Sequence, residues 1–403
     1  MSAPSEKAPH GSILSEIELP LFACLWLHSV LVYMAVVIAR VTTSYAMLDL
    51  DLSFFWVGVV SAAFSVIPIF IAVPLGRIND RGHDSLTIRA GSACLFLSGL
   101  IFCFTTPGVL ALFIATAVLG VGQISCMGGH QMVSIRAGKT VRGRDAVFGY
   151  HMVAIATGQG FGPLIVGWIA GDARQPPIEL LFQIMAAISL LAAFASLLLK
   201  PGPARDGKTA GAQPVRLIDL LKMRGLLAFV TASVMTITAL DLIVVYLPLL
   251  GAERDMDVAT VGLIMSVRAA SSMAARLVYV PLVDRIGRRP LTYLSILAPA
   301  AAFLVMATPA PLWILYPTMV VAGMGLGVAA TLTLSGVVDL APPGARATAM
   351  SLRLTGNRLG LIVIPMGASL VATFTGAAGV FVILAACLVG SAVGIRTSRP
   401  RDG

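Results

Sequence analysis

Long apolar segments alternate with short, mostly basic loops along nearly the whole chain. Each segment is long enough to cross the hydrocarbon core of a bilayer, which takes about 20 helical residues. The pattern therefore predicts an all-α integral membrane protein with twelve transmembrane helices. The predicted spans are 21–46, 56–76, 86–104, 109–134, 147–170, 178–199, 226–250, 259–281, 290–308, 311–336, 347–373 and 377–395.

The second half of this pattern repeats the first. Asp80 follows the second span and Asp284 follows the eighth, at an offset of 204 residues (284 − 80), and Gly58 and Gly262 share that offset. Internal repeats of this length in a membrane chain are typical of transporters built from two related halves. We therefore expect two pseudo-symmetric bundles of six helices. Their predicted bounds are 21–199 and 226–395.

Composition agrees with a membrane protein. Only 12% of the residues are charged and 58% are hydrophobic, whereas about a quarter of the residues in a soluble protein are charged. The net charge of +9 comes from small basic clusters between the spans, so we expect no nucleic-acid partner. The five cysteines fall inside apolar segments without the spacing of a metal site, so we predict neither a metal nor a cofactor.

The basic clusters occupy every second loop, which by the positive-inside rule places those loops in the cytoplasm. Both termini fall on the same side, so we expect a multi-pass, monomeric protein of the cytoplasmic (inner) membrane. Leucine and isoleucine are interspersed with charged residues at 217–222, which indicates an amphipathic helix on the membrane surface. The predicted segments outside the bundles are an N-terminal tail at 1–20, a linker at 200–225 and a C-terminal tail at 396–403.

The loops after the second and eighth spans resemble the cytoplasmic motif of the major facilitator superfamily, Gly-x-x-x-Asp-Arg-x-Gly-Arg-Arg. The second copy matches well from Asp284, with Val280 in place of the leading glycine, and the first copy departs after Arg81. The resemblance covers nearly the whole chain and implies a bacterial-type, twelve-helix transporter whose loops close the cytoplasmic side. Alternatively, the arginines only set the topology. The implied gating residues are Gly76, Asp80, Arg81, Asp284, Arg285, Gly287, Arg288 and Arg289.

The fifth span resembles the Gly-x-x-x-Gly-Pro-x-x-Gly-Gly signature of superfamily members that export a substrate in exchange for protons. Val166 departs from this signature, and Gly360 and Pro365 repeat its layout in the eleventh span. Close helix packing alone would explain the same glycines. In the fourth span, Thr116 stands where the family often has an arginine. The signature residues are Gly158, Gly162, Pro163 and Gly167.

Ionisable side chains inside the spans are functional candidates, because a charge in a bilayer is costly. Asp241 and Arg268 lie on neighbouring spans, roughly 13 Å below the same surface at a rise of about 1.5 Å per residue, and so can pair. By the repeat, Arg40 occupies nearly the same face as Asp241. We therefore predict a polar cluster of these three residues at a central cavity. The alternative is a static Asp241–Arg268 bridge that only neutralises two charges.

Arg358 lies near mid-depth in the eleventh span, without an acidic partner in the sequence. It would favour an anionic or carboxylate-bearing substrate, or it would bind carbonyl groups freed by a helix break. His130 and His151 share a depth near the cytoplasmic ends of their spans. They are either buried histidines with satisfied hydrogen bonds or carriers of a proton. All of these are candidates for substrate or proton binding.

The pattern and the resemblance together predict a secondary active transporter of a small organic molecule that works by alternating access. Export in exchange for protons is the first choice, with the proton gradient as the energy source. The alternatives are proton-coupled import of a small organic anion and a sensor that binds its ligand without transport. We predict no enzyme and no catalytic residue, because the spans contain neither a nucleophile with a base nor a His/Asp metal cluster.

Overall fold

The computed structural model describes residues 13–104, 108–202, 220, 222–342 and 346–397. Nearly all of them are helical, as the apolar segments predict. A 3-10 turn at Ile13–Glu16 precedes the first α-helix. The α-helices are α1 (Leu19–Asp49), α2 (Phe54–Asp80), α3 (Asp84–Phe104), α4 (Val109–Ala137), α5 (Val141–Ala170), α6 (Ile178–Leu197), α7 (Arg224–Glu253), α8 (Val258–Leu277), α9 (Tyr279–Ile286), α10 (Arg288–Ala307), α11 (Leu312–Leu340) and α12 (Arg346–Thr397).

The last helix, α12, contains two transmembrane segments. It runs through 52 residues, or about 78 Å at a rise of about 1.5 Å per residue, which is more than twice the thickness of a bilayer core. Gly376 interrupts it with a φ of 70°, a conformation that glycine adopts without steric cost. Eleven helices in the described residues are long and apolar enough to span a membrane. Since α12 crosses twice, they supply the twelve predicted spans.

The helices form two bundles. Helices α1 to α6 pack on one another, and α7 to α12 form a second bundle. The bundles meet along three helix pairs, α1 with α7, α2 with α12 and α5 with α8. Small residues permit this approach: a Cβ added to Gly167 of α5 would lie 3.0 Å from the Cα of Ala259 in α8. The predicted architecture of two six-helix bundles is confirmed.

We call the end of the molecule that carries the α2–α3, α4–α5 and α9–α10 loops the basic end, and the opposite end the far end. At the basic end, the Glu18 N–H donates to the Ala137 carbonyl (2.8 Å), and the Lys139 N–H donates to the Glu16 carbonyl (2.9 Å). The last residues of the predicted N-terminal tail are therefore held against the α4–α5 loop. Most of the predicted linker and amphipathic segment, at 203–219 and 221, lies outside the described residues, as do 1–12 and 398–403.

Candidate transport site between the two bundles

An ion pair joins the two bundles inside the membrane-spanning region. Arg40 of α1 donates two parallel hydrogen bonds to Asp241 of α7, from Nη1 to Oδ1 and from Nη2 to Oδ2, the second at 2.9 Å. The side chains are 6% and 17% exposed. The Arg40 guanidinium also lies over the Phe64 ring, 4.5 Å from its centroid. Bidentate pairing of this kind fixes the geometry of both groups and neutralises the carboxylate.

A small cavity lies beside Arg40. It has a volume of about 10 Å³, and Ser44, Ser61 and Thr116 are among the residues that line it. A cavity of about this size holds roughly one water molecule. The Thr116 hydroxyl is buried without a hydrogen-bond partner in the described residues. Thr116 stands where the family often has an arginine, and Arg40 places a guanidinium on the same cavity from α1.

Arg268 does not take part in this ion pair. Its side chain is 4% exposed, and its Nε has no hydrogen-bond partner in the part of the chain that the structure describes. The predicted pairing of Asp241 with Arg268 is therefore wrong, because Asp241 is bound by Arg40. Asp241 and Arg268 lie at equal depth in the sequence pattern, but depth does not fix the direction in which a side chain leaves its helix.

The second bundle carries unpaired positive charge within its spans. Arg268, Arg353 and Arg358 form no ion pair with the acidic residues that the structure describes. Arg353 is 8% exposed, and its Nε also lacks a hydrogen-bond partner there. Arg358 is half-buried. Arginines within membrane spans are candidates for binding an anionic ligand.

Contacts between the bundles close the far end. The N–H groups of Val258 and Ala259, at the start of α8, donate to the carbonyls of Ala173 (3.0 Å) and Gly171 (3.3 Å). Arg174 and Asp255 form an exposed ion pair of 2.5 Å across the same loops. These bonds tie the α5–α6 loop of one bundle to the α7–α8 loop of the other.

The start of α8 is capped by Asp257, whose carboxylate accepts hydrogen bonds from the N–H (2.6 Å) and the hydroxyl (2.8 Å) of Thr260. Partial burial raises the pKa of this carboxyl, but the hydrogen bonds outweigh burial and hold the pKa below its usual range. The cap therefore stays ionised at neutral pH and stabilises the helix end that carries the far-end contacts.

The glycines of the fifth-span signature lie at helix contacts. A Cβ on Gly158 would lie 2.9 Å from the N of Met34 in α1, and a Cβ on Gly162 would lie 3.2 Å from the Cβ of Val37 in the same helix. On the α8 side, Gly262 lies against the carbonyl of Pro163. Deeper along this contact, the Ser266 hydroxyl donates to the Gly160 carbonyl (2.7 Å). The signature thus forms the contact of α5 with α1 and with the other bundle.

The predicted gating residues lie at the basic end. Asp80 and Arg81 at the end of α2, and Asp284 and Arg285 in α9, make no ion pair with the residues that the structure describes. Gly287 forms the turn between α9 and α10. Its φ of 85° is a backbone conformation that other residues rarely adopt. The gating residues that are exposed are Gly76, Asp80, Arg81, Asp284, Arg285, Arg288 and Arg289.

Two ion pairs at the basic end were not anticipated from sequence. Asp84 at the start of α3 binds Arg136 at the end of α4 (Oδ2 to Nε, 2.9 Å), with 2% and 13% of the side chains exposed. Arg288 at the start of α10 binds Asp339 at the end of α11 (2.5 Å), with 47% and 53% exposed. The 204-residue offset relates Asp84 to Arg288 but carries Arg136 to Leu340, one residue beyond Asp339, so the second pair does not follow from the first by the repeat.

Three buried histidines meet in the first bundle. His28 Nδ1 lies 2.7 Å from His130 Nε2, and His28 Nε2 lies 2.8 Å from the Ser92 hydroxyl. The His130 and His151 rings are 5.4 Å apart, edge to face, and neither nitrogen of His151 has a partner in the described residues. No group of three or more His, Cys, Asp or Glu residues in that part of the chain has the arrangement of a metal site. The equal depth predicted for His130 and His151 agrees with their contact. The contact of His28 with His130 was not predicted from the sequence.

Comparisons with known proteins agree with this architecture. The family model of the Major Facilitator Superfamily matches residues 25–257 and 229–402. A crystal structure of a mutant of the nucleoside transporter NupG superposes with a TM-score of 0.80 at 18% identity, covering 94% of this chain and 100% of the other. A second NupG crystal structure gives a TM-score of 0.75 at 16% identity, with 94% and 98% covered. None of the curated proteins matches the sequence. The chain belongs to the major facilitator superfamily, and it is a membrane transporter, not an enzyme.

Proposed function

We propose that this transporter moves a small organic anion across the cytoplasmic membrane by alternating access, and that it exports this anion in exchange for protons. The observation that carries the proposal is the unpaired positive charge of Arg268, Arg353 and Arg358 inside the second bundle. The acid Asp241 is already bound by Arg40. An anion entering between the bundles would supply the missing negative charge.

The basic end is assigned to the cytoplasm by the positive-inside rule. The far-end hydrogen bonds and the Arg174–Asp255 ion pair would then join the two bundles on the outer side. At about 1.5 Å per residue, Arg353 lies roughly 10 Å and Arg358 roughly 18 Å from the start of α12 at the basic end. A substrate arriving from the cytoplasm would meet Arg353 before Arg358.

The proton is assigned to Asp241. A carrier that exchanges protons needs a group whose environment differs between its two open states. Arg40 and Asp241 belong to different bundles, so rocking of one bundle against the other would separate the carboxylate from its guanidinium. A carboxylate that loses its cationic partner in a bilayer takes up a proton more readily.

The second candidate is import of the same anion together with protons. It is favoured by charge, because the membrane potential opposes entry of an anion and protons moving with it offset that cost. The same buried arginines serve this direction. Accumulation measured in sealed vesicles with imposed proton gradients of either sign distinguishes export from import, and a sensor gives accumulation in neither case.

The substrate class is tested by thermal unfolding of the purified protein with monocarboxylates, dicarboxylates, phosphate esters and nucleosides. A ligand at about 100 times its Kd stabilises the folded state by about 2.7 kcal/mol. We expect an organic anion to raise the melting temperature, and Arg358→Ala or Arg268→Ala to weaken its binding at least about tenfold, or about 1.4 kcal/mol. Nucleosides are included because the superposed crystal structures are of a nucleoside transporter.

The matched control is Arg396→Ala, which removes an exposed arginine near the end of α12 and should leave the ligand effect unchanged. Stabilisation by uncharged nucleosides that does not depend on Arg268 or Arg358 would overturn the anion proposal. Stabilisation by an anion that remains at full strength in both arginine variants would place the anion elsewhere.

A further inference from the structure

His28, His130 and His151 lie together on three different helices of the first bundle. At about 1.5 Å per residue, their positions on α1, α4 and α5 are all roughly 10 to 15 Å from the basic end. They are 0%, 0% and 1% exposed. Contact among three histidines at one depth is a feature of the fold, because the helices that carry them are far apart in sequence.

Two serine hydroxyl groups contact the pair formed by His28 and His130 and limit where the ring hydrogens of the pair can lie. The Ser92 hydroxyl lies 2.8 Å from the Ile88 carbonyl, and the Ser29 hydroxyl lies 2.7 Å from the Leu25 carbonyl. In one arrangement, each serine donates its single hydrogen to that carbonyl, which can only accept. Each serine oxygen is then left to accept from an imidazole, Ser92 from His28 Nε2 (2.8 Å) and Ser29 from His130 Nδ1 (3.4 Å).

These contacts determine how many ring hydrogens the two histidines hold in this arrangement. His28 carries a hydrogen on Nε2 and His130 carries one on Nδ1, and the 2.7 Å contact between His28 Nδ1 and His130 Nε2 needs one more. Two neutral imidazoles hold two ring hydrogens in total, and this arrangement holds three. In this arrangement the pair carries one extra proton, shared between the two rings, and every N–H of the pair has an acceptor.

The neutral pair fits the same heavy-atom positions with one change. If the Ser29 hydroxyl turns from the Leu25 carbonyl to His130 Nδ1, that nitrogen becomes an acceptor and the extra proton leaves. His28 then accepts from His130 Nε2 and still donates to Ser92. A single hydroxyl rotation therefore separates the protonated and the neutral states.

The two histidines themselves carry the positive charge of the extra proton. The titratable groups that face the pair are His151 of α5 and Cys126 of α4, whose Sγ lies 3.8 Å from the Ser92 hydroxyl. Neither His28 nor His130 pairs with a carboxylate in the residues that the structure describes. The His151 ring packs edge to face against His130, and its two nitrogens have no hydrogen-bond partner in those residues.

We propose that His28 and His130 together form a binding site for one proton inside the first bundle, with the Ser29 hydroxyl as the rotor that accompanies its uptake and release. The site is separate from the ion pair between the bundles, because Arg40 lies 12 residues beyond His28 on the same helix, or about 18 Å. It does not depend on the identity of the substrate or on the direction of transport.

The test uses the proton itself as the probe. Full-length protein labelled with nitrogen-15 in its histidines is placed in lipid bilayers, and imidazole signals are recorded by solid-state NMR from about pH 5 to about pH 9. We expect one cationic imidazole signal, shared by two rings, that converts to neutral signals within this range. The signal should be lost in both His28→Gln and His130→Gln. His83→Gln, which removes an exposed histidine, should leave it unchanged.

Ser29→Ala keeps both histidines and removes a group that both states use, the acceptor of the His130 Nδ1–H in the protonated state and the donor to Nδ1 in the neutral state. Because a hydrogen bond to a charged group is worth more than a neutral one, the pair should lose its proton at lower pH, by about one pH unit. Ser134→Ala is the matched control, because that buried hydroxyl bonds the His130 carbonyl (2.8 Å) and not its ring. Neutral signals for both rings at every pH, or equal midpoints in Ser29→Ala and Ser134→Ala, would overturn the proposal.

Discussion

The two bundles share an architecture but bury different chemistry. The first brings His28, His130 and His151 together, whereas the second buries Arg268 and Arg353 without an acidic partner in the described residues. Histidine gains and loses a proton near neutral pH, while arginine keeps its charge. Of these two buried clusters, the one that can change its charge therefore lies in the first bundle and the permanently charged one in the second.

The internal repeat shows which residues of the first bundle correspond to the buried arginines of the second. At the 204-residue offset, Arg268 corresponds to Phe64, the ring on which Arg40 packs. At the offset of 202 that relates Gly158 to Gly360, Arg353 corresponds to His151. The two halves therefore share the positions of these side chains but differ in their chemistry. This difference allows each half to bind a different group.

The ion pairs at the basic end differ in polarity as well as in burial. In the first bundle, Asp84 at a helix start binds Arg136 at a helix end, and both charges are favourable in the helix dipoles. In the second bundle, Arg288 at a helix start binds Asp339 at a helix end, and both charges oppose the dipoles. We expect the first pair to be a fixed part of its bundle and the second to open more easily.

The largest expected effect concerns Asp241, which joins the two halves through Arg40 within the spans. Asp241→Asn should abolish accumulation driven by a proton gradient and preserve exchange of substrate across the membrane, because the variant has no carboxylate to protonate. The measurement is uptake and counterflow in sealed vesicles with the anion found by thermal unfolding. The double variant Arg40→Gln/Asp241→Asn removes the unpaired cation and serves as the control for folding.

Accumulation by Asp241→Asn at the normal pH dependence would make Asp241 structural. Coupling would then rest with His28 and His130, and loss of accumulation in His28→Gln would locate it in the first bundle. The two variants therefore decide which half carries the coupling proton.

The next effect concerns the reversed ion pairs. Asp84→Asn should lower the free energy of unfolding by about 3 kcal/mol, because it leaves a largely buried guanidinium unpaired. Asp339→Asn should change it by less than about 0.5 kcal/mol, because that pair is exposed. Thermal or denaturant unfolding in detergent measures both. Equal losses in the two variants would contradict the difference that we draw between the bundles.

The smallest effect concerns the loops proposed as a gate. Asp80→Asn and Asp284→Asn should leave membrane insertion intact, since acidic residues contribute little to topology, and should slow transport about tenfold, or about 1.4 kcal/mol in the barrier. Asp172→Asn, which removes an exposed acid at the far end, is the matched control. Normal transport rates in both loop variants would exclude these acids from gating.

Much of the fold follows from local sequence patterns. The apolar segments give the spans, and the repeated Asp80 and Asp284 loops give the two halves, because the bilayer requires nearly continuous apolar helices whatever their neighbours are. The break at Gly376 also follows, since the polar and small residues between the last two spans interrupt the apolar pattern. These features depend on residues close together in the chain.

The partners of the buried charges do not follow in this way. Sequence places Arg40, Asp241 and Arg268 at known depths, yet the tertiary structure decides that Arg40 binds Asp241 and that Arg268 stays apart. It also brings His28 to His130 across 102 positions. A partner depends on the rotation of each helix about its axis and on the crossing of neighbouring helices, which the packing of many distant side chains sets together.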